Sequence, residues 1–483
     1  MKLKPYQHQT LIVERFRALN FGALFMEQGT GKSKCFIDIA EYQHSRGWIT
    51  GVFLIVGGKI LLRNWQSEEL PKHSQFPHNV ITFRPGHLGS VDQAIASATE
   101  GYLTWFIVNV DSVIEKSIIP YARDFLTANK RFSLMIDEST CVKSMGALSA
   151  IKIRDLALHA QSRFIGSGTA ITKNPLDLYA QAEVLQPGLL GVNFWAFKTR
   201  YCNLKKIKIN TGRTFKKVTG YTDLDELTKR VQNWAVILKK VDCLDLPPKV
   251  YRTVDCPLTD EQWFYIEKLK AQAAIEWQGQ TVKALNVISL INKILQICAG
   301  QIKLPDGTYG YLENDRIDLV EELINEAAGA KTIVWYAFKG VGTKIAEKLK
   351  NRAVHIHSGM SDNARYDALQ VFKTDPEKDA LIMNPAMGGK GLTIVEATNA
   401  LYHSRTYNYE DRAQSEERIH RIGQTKSVLV TDIVDKNCGT ELGVIKNLTG
   451  KKDISDLVLQ TAQELITQLD LFKVSTKEEA YHG

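Results

Sequence analysis

At 483 residues the chain has room for roughly two to four domains, and 44% hydrophobic with 24% charged residues is the composition of an ordinary globular protein. Apolar runs such as Val52 to Val56 are strand-length and far short of a membrane span, and seven cysteines without a C-x-x-C pair argue against a zinc site and a disulfide framework alike. The net charge of +8 admits a polyanionic partner without naming one.

The opening MKLKPYQHQT lacks the apolar core of a signal peptide, so a cytoplasmic, nucleoid-associated protein without membrane contact is expected, its cysteines kept as thiols. The first chemical signal is FGALFMEQGTGKSKCFIDIAEYQ. An apolar strand-like run, Ala23 to Met26, enters a loop over Glu27 to Gly31. Lys32 and Ser33 then open a stretch with Phe36, Ile37, Ile39 and Ala40 at helical spacing. Gly29 and Gly31, with Thr30 between them, let backbone N–H groups turn around phosphate oxygens at the positive end of a helix. Lys32 is placed to reach the β- and γ-phosphates of ATP, and the Ser33 hydroxyl to ligate Mg²⁺. The strict pattern wants glycine at position 26, where this chain has Met26.

Downstream, RFSLMIDEST reads as a buried strand ending in two acids. Asp137 suits a magnesium ligand, acting through water, and Glu138 suits the group that orients and deprotonates the attacking water.

From Val184 to Thr222 there is no Asp or Glu, yet Lys198, Arg200, Lys205, Lys206, Lys208, Arg213, Lys216 and Lys217 all fall there. These eight charges equal the whole net excess. Such clustering fits phosphate contacts and equally fits a solvated basic face. Lys205 to Asn210 and Thr214 to Thr219 alternate around Asn210-Thr211-Gly212-Arg213, which predicts a hairpin. Trp195, Phe197 and Tyr201 lie among the cations, where they either stack on bases or pack into a core.

The segments DEQWFYIEKLKAQAAIEW and NVISLINKILQICAG carry helix-period apolar faces and predict a helical insertion over about 258–300. In AQSEERIHRIGQTK, Gln414, Arg418 and Arg421 recur on one face of a predicted helix. Phosphoryl transfer gains roughly 10³–10⁵ in rate from an arginine beside the γ-phosphoryl group, and arginines delivered across a cleft are the sharper account of this face. Residues 441–472 read as a closing helical segment.

The motifs now stand in a fixed order: LKPYQHQ (3–9), MEQGTGKS (26–33), ILLRNWQSE (60–68), IVNVDSV (107–113), LMIDEST (134–140), IGSGTAITKNPLDLYAQAEVLQPGLLG (165–191), WAVILKKVDCLDLPPK (234–249), TIVWYAFKG (332–340), HIHSGMSDNARYDALQVF (355–372) and MNPAMGGKGLTIVEATNALYHSRTYNYEDRAQSEERIHRIGQTKSVLV (383–430). In this order they resemble the Swi/Snf-type subgroup of superfamily 2 helicase-like ATPases from residue 3 to about 460, the RIGQ stretch and the LPPK link being the most specific. The basic segment after residue 194 resembles that of the fork-annealing branch.

The resemblance implies an α/β fold of two RecA-like lobes, parallel sheets flanked by helices, with helical insertions. The first lobe is expected over 1–244, with a basic helical and hairpin insertion about 191–240. The second is expected over 245–483. It also implies that Gln7 reads adenine and that Ser167, Gly168 and Thr169 couple hydrolysis to lobe movement. By the same resemblance Gly389 belongs with the nucleotide, Gly391 and Thr393 lie at the lobe interface facing DNA, and Gln414, Arg418 and Arg421 form the last motif.

Four departures stand out: DEST in place of DExH, Ala170 where proline is usual, Gly57-Gly58 where an apolar–proline turn is usual, and Tyr407 where tryptophan is frequent. None removes a catalytic charge. The function implied is an ATP- and Mg²⁺-dependent translocase on double-stranded or forked DNA, acting as a monomer in replication or repair in a phage or bacterial setting, without an appended reader or nuclease domain. A strand-separating DNA or RNA helicase and a nucleotide-regulated binding module without turnover are the competing readings.

Overall fold

The structure is a computed structural model that describes residues 4–168, 175–208, 214–277, 284–304, 306–386 and 393–449. These divide into two compact units, one built from the chain up to Asp245 and the other from Leu246 onward.

Among the described residues the first unit holds nine strands: β1 Phe21–Met26, β2 Gly51–Val56, β3 His78–Thr82, β4 Leu103–Asn109, β5 Phe132–Asp137, β6 Ser162–Ser167, β7 Cys202–Lys208, β8 Thr214–Tyr221 and β9 Ala235–Leu238. Seven of them form one sheet in the order β3-β4-β2-β5-β6-β1-β9, every neighbouring pair parallel. A parallel sheet must be covered on both faces, which is why β2 and β5 are buried along their whole length. Alternate side chains enter two cores. Ala23, Phe25, Phe53, Ile55, Leu134 and Ile136 join the helices Leu148–Leu158 and Pro175–Leu185. Leu24, Met26, Val52, Leu54 and Met135 meet Phe36, Ile37, Ile39 and Ala40 of the helix Lys32–Ser45.

The predicted hairpin forms as the antiparallel pair β7–β8, its turn at 209–213 lying outside the described residues. It stands between the helices Phe194–Tyr201 and Leu224–Gln232. The insertion ends earlier than the expected residue 240, because β9 returns to the main sheet beside β1. The alternatives for the aromatic residues also resolve: Phe197 and Tyr201 are core, whereas Trp195 is 66% exposed.

The second unit holds β10 Lys249–Asp255, β11 Gln301–Lys303, β12 Tyr309–Tyr311, β13 Thr332–Trp335, β14 Ala353–Ile356, β15 Ala380–Met383, β16 Asn399–Tyr402 and β17 Val428–Val434. Six of these make a second parallel sheet, β10-β17-β16-β13-β15-β14. The helical insertion consists of Asp260–Trp277 and Ala284–Cys298, packed through Ile266, Leu290, Ile294 and Ile297, and it leads into the small β11–β12 hairpin. The helix Gly439–Thr449 seats Val444 and Leu448 against Val287, Ile291 and Leu295. The rest of the expected closing segment lies outside the described residues. None of the seven cysteines is in a disulfide, and among the described residues no helix is long and apolar enough to cross a membrane.

Candidate nucleotide site

In the first unit the candidate residues gather at the carboxyl ends of β1, β5 and β6, the end of an α/β sheet where ligands bind. Met26 ends β1, and the loop to Lys32 turns through two left-handed glycines, Gly29 at φ 82° and Gly31 at φ 90°. Gly31 is also a close approach: a Cβ there would fall 2.0 Å from Nε2 of Gln9. Gln9 is buried and braces the loop from below. Its Nε2 donates to the Thr30 carbonyl at 3.2 Å while its Oε1 accepts from the Tyr6 N–H at 2.9 Å. The His8 ring meets the same carbonyl at 2.9 Å. Gln7, the residue expected to read adenine, is exposed at the first position of the helix Gln7–Phe16.

Lys32 lies at the first turn of its helix, buried, with Nζ donating to the carbonyls of Met26 at 2.8 Å and Glu27 at 3.4 Å. The loop thus wraps its own lysine and holds the ammonium at the strand end, where phosphate oxygens would replace carbonyls. Ser33 follows, half-buried.

The two acids end β5. Asp137 is buried, and burial together with the adjacent Glu138 raises its carboxyl to about 6, against the opposing pull of Lys32 and a hydrogen bond from Trp65. That bond runs from the indole Nε1 to Oδ2 at 3.0 Å. Trp65 is itself buried and stacked on Trp105, ring centroids 5.9 Å apart. Glu138 sits at φ 62° and ψ 59°, a left-handed conformation rare for a residue with a side chain and typical of functional turns. Its carboxylate accepts from the Ser167 hydroxyl at 3.4 Å, which ties the acid pair to the end of β6. Ser139 is fixed by Gln181 at 2.6 Å. The departure at Gly57 has a physical reason, since a Cβ there would stand 3.0 Å from the Cβ of Glu138. Gly168 is likewise crowded by Gln28, 3.0 Å from where its Cβ would be. Thr169 lies outside the described residues.

In the second unit the helix Tyr409–Ile419 carries Gln414 and Arg418. Arg421 is not on it, contrary to the expected single helical face: the helix ends at Ile419, and the chain turns through Gly423 at φ 101°. Arg421 reaches Thr393 instead, Nη1 to Oγ1 at 2.9 Å. Arg418 is buried, and burial with the neighbouring Arg421 pushes its guanidinium down to about 9. Two cations held this close favour an anion between or beside them. The helix is anchored by residues that sequence reasoning missed. Arg412 grips Asp432 with two hydrogen bonds of 2.7 and 2.9 Å and lies over the Tyr402 ring, while Glu416 accepts from Lys249 and Tyr251. Gly389 and Gly391 lie outside the described residues.

On the hairpin, Lys205, Lys206 and Lys216 are exposed. Arg213 is outside the described residues, as are the side chains of Lys208 and Lys217.

A phosphate loop, a lysine and an acid pair at the ends of a parallel sheet define a P-loop nucleotide-binding protein, here with a second parallel α/β unit in the same chain. Residues 6–301 match the SNF2-related domain and residues 315–423 the helicase conserved C-terminal domain. The chain belongs to the SNF2-related family. It is 25% identical, over 99% of its length and 44% of the other chain, to an uncharacterized ATP-dependent helicase of Mycoplasma genitalium. It is 26% identical to the DNA annealing helicase and endonuclease of Bos taurus, over 62% of this chain and 27% of that one. The Sulfolobus solfataricus SWI2/SNF2 ATPase core in complex with dsDNA aligns over 99% of this chain and 98% of that chain, at 20% identity and a TM-score of 0.41. The chain spans less than half the length of the curated relatives named here.

Proposed function

We propose that this chain hydrolyses ATP to move along double-stranded DNA, as a monomer in the cytoplasm. The reading is carried by one observation: Lys32, Asp137, Glu138 and Ser167 converge at the ends of β1, β5 and β6 around a phosphate loop. Lys32 and the loop N–H groups hold the β- and γ-phosphates. The Glu138 carboxylate, steadied by Ser167, orients water for in-line attack and takes its proton. Arg418 and Arg421 supply positive charge to the γ-phosphoryl group, and the anion in turn relieves the cost that burial and Arg421 place on the charged form of Arg418. Gln7, Gly389 and Gln414 complete the nucleotide contacts, and Ser167 to Thr169 pass the state of the acid pair onward.

The donor set fits Mg²⁺. The Ser33 hydroxyl and the Asp137 carboxylate are hard oxygen ligands, and a buried acid raised by a second acid is stabilised by a cation. When bound, the ion neutralises charge on the phosphate oxygens.

The DNA part of the reading is supported by the lysine-rich hairpin and by DNA-acting relatives such as the annealing helicase of Bos taurus. The test is ATP turnover with duplex DNA, single-stranded DNA and RNA, beside triplex-displacement and strand-displacement assays. Duplex stimulation with triplex displacement is expected. Strand separation on forked DNA without triplex displacement replaces the translocase by a strand-separating helicase.

A further inference from the structure

We infer that the β7–β8 hairpin seats in a groove of duplex DNA, its two faces against the two phosphate backbones, and does not lie with one face on a single strand. The inference rests on the proposed DNA-tracking function and adds the geometry of one contact.

The register carries it. In the antiparallel ladder Lys205 stands opposite Lys217, and Lys206 opposite Lys216. Directly paired residues share a face and successive residues alternate faces. Lys205 therefore belongs to one face of the ribbon and the 206–216 pair to the other. Like charges directly across a ladder oppose its formation. Here they occur twice in succession, in a stretch without a single Asp or Glu from Val184 to Thr222. Lys205, Lys206 and Lys216 are exposed, and among the described residues they join none of the ion pairs, although Arg200, in the helix before the hairpin, pairs with Glu226 at 3.3 Å.

A solvated hairpin gains nothing from such a ladder, whereas a polyanion converts the repulsion into contacts. One basic face would suffice to lie along one backbone. Cations on both faces match phosphates on both sides, and the major groove, about 12 Å wide, admits a two-stranded ribbon. The root of the hairpin is fixed for this purpose. Tyr201 and Cys202 are buried, and the Tyr201 hydroxyl bonds Glu226 and Arg230 across to the next helix. Trp195, exposed with Lys198 5.4 Å from its ring centre, extends the contact surface on the helix leading into β7.

The experiment measures the affinity of the full chain for an unforked blunt duplex across a salt series. Three proteins are compared: the parent, Lys205→Ala/Lys217→Ala and Lys206→Ala/Lys216→Ala. Each lost phosphate contact lowers the salt slope by about 0.9, so each pair is expected to reduce it by about two. Thermal unfolding of each variant establishes that the fold persists. A loss confined to one pair, or slopes equal to the parent's, overturns the groove assignment. Duplex-stimulated ATP turnover by the parent chain scores the motor reading separately, so the hairpin can fail while the motor stands.

Discussion

The indole N–H of Trp65 donates to Oδ2 of Asp137 at 3.0 Å, joining a tryptophan in the helical segment between β2 and β3 to the acid that ends β5. Both side chains are buried, so the bond acts without competition from water. It favours the ionised carboxylate and fixes which oxygen remains for a cation. Replacing Trp65 with phenylalanine keeps an aromatic ring against Trp105 and removes the donor, together with part of the buried ring volume. A hydrogen bond to a charged group is worth about 1.5–3 kcal/mol, so the Mg²⁺ concentration for half-maximal ATP turnover should rise on the order of tenfold or more. A magnesium titration of hydrolysis, with Mg²⁺-dependent binding of a fluorescent ADP as the second readout, checks this. An unchanged magnesium requirement in a folded Trp65→Phe protein rejects the role.

The raised carboxyl of Asp137 makes a pH prediction. Its folded value, about 6, lies above the ordinary 3.8 because burial and Glu138 both disfavour the anion. A group shifted this way binds its proton more tightly folded than unfolded, so it withdraws stability as pH rises from about 4 through 6. For turnover the sign is opposite, since the ionised form is the competent ligand. At low Mg²⁺ the acid limb of the pH–rate profile should fall near 6, and raising Mg²⁺ should move it to lower pH. A limb that stays in place across magnesium concentrations contradicts the assignment of Asp137 as a ligand.

A third prediction concerns the second unit. Arg316 donates to both oxygens of Glu441, at 2.9 and 2.6 Å, with both residues almost wholly buried. Burial alone would raise the Glu441 carboxyl, but Arg316 and Arg405 outweigh it and hold it below the usual range. Glu441→Gln leaves Arg316 buried without its counter-charge, and such a break costs about 3–5 kcal/mol. Urea unfolding followed within this unit should show that loss, and Arg316→Met/Glu441→Leu should recover most of it. A loss in Glu441→Gln below about 1 kcal/mol, the range of an exposed pair, would show that the pair is not a closed buried bridge.

Much of this was legible from residue pattern alone, and the exceptions have physical causes. The phosphate loop and the acid pair are local motifs, so strand, loop and helix could be read at Ala23 to Ala40 and at Phe132 to Glu138. The Trp65–Asp137 bond spans 72 positions and leaves no local trace beyond a tryptophan in a motif. Gln9 was hidden by its neighbour: Gln7 and Gln9 carry the same chemistry, and only the close approach of Gly31 shows which one braces the loop. The run at Ala235 to Leu238 is too short to distinguish a sheet strand from the end of an insertion. Arg421 matched helical spacing, yet the left-handed Gly423 that follows belongs to a turn. Gly57 looked like a departure from the family and is the position where a side chain would crowd Glu138.

The central claim is that Glu138 and Lys32 drive ATP hydrolysis coupled to duplex DNA. Its most direct test is the steady-state ATPase rate of the parent chain and of Glu138→Gln, each with and without duplex DNA. The substitution keeps the size of the side chain and its bond with Ser167 while removing the base. Stimulation of the parent by duplex, with turnover in Glu138→Gln lost by at least about 10²-fold and ATP binding retained, is the predicted result. Normal hydrolysis in Glu138→Gln contradicts the account.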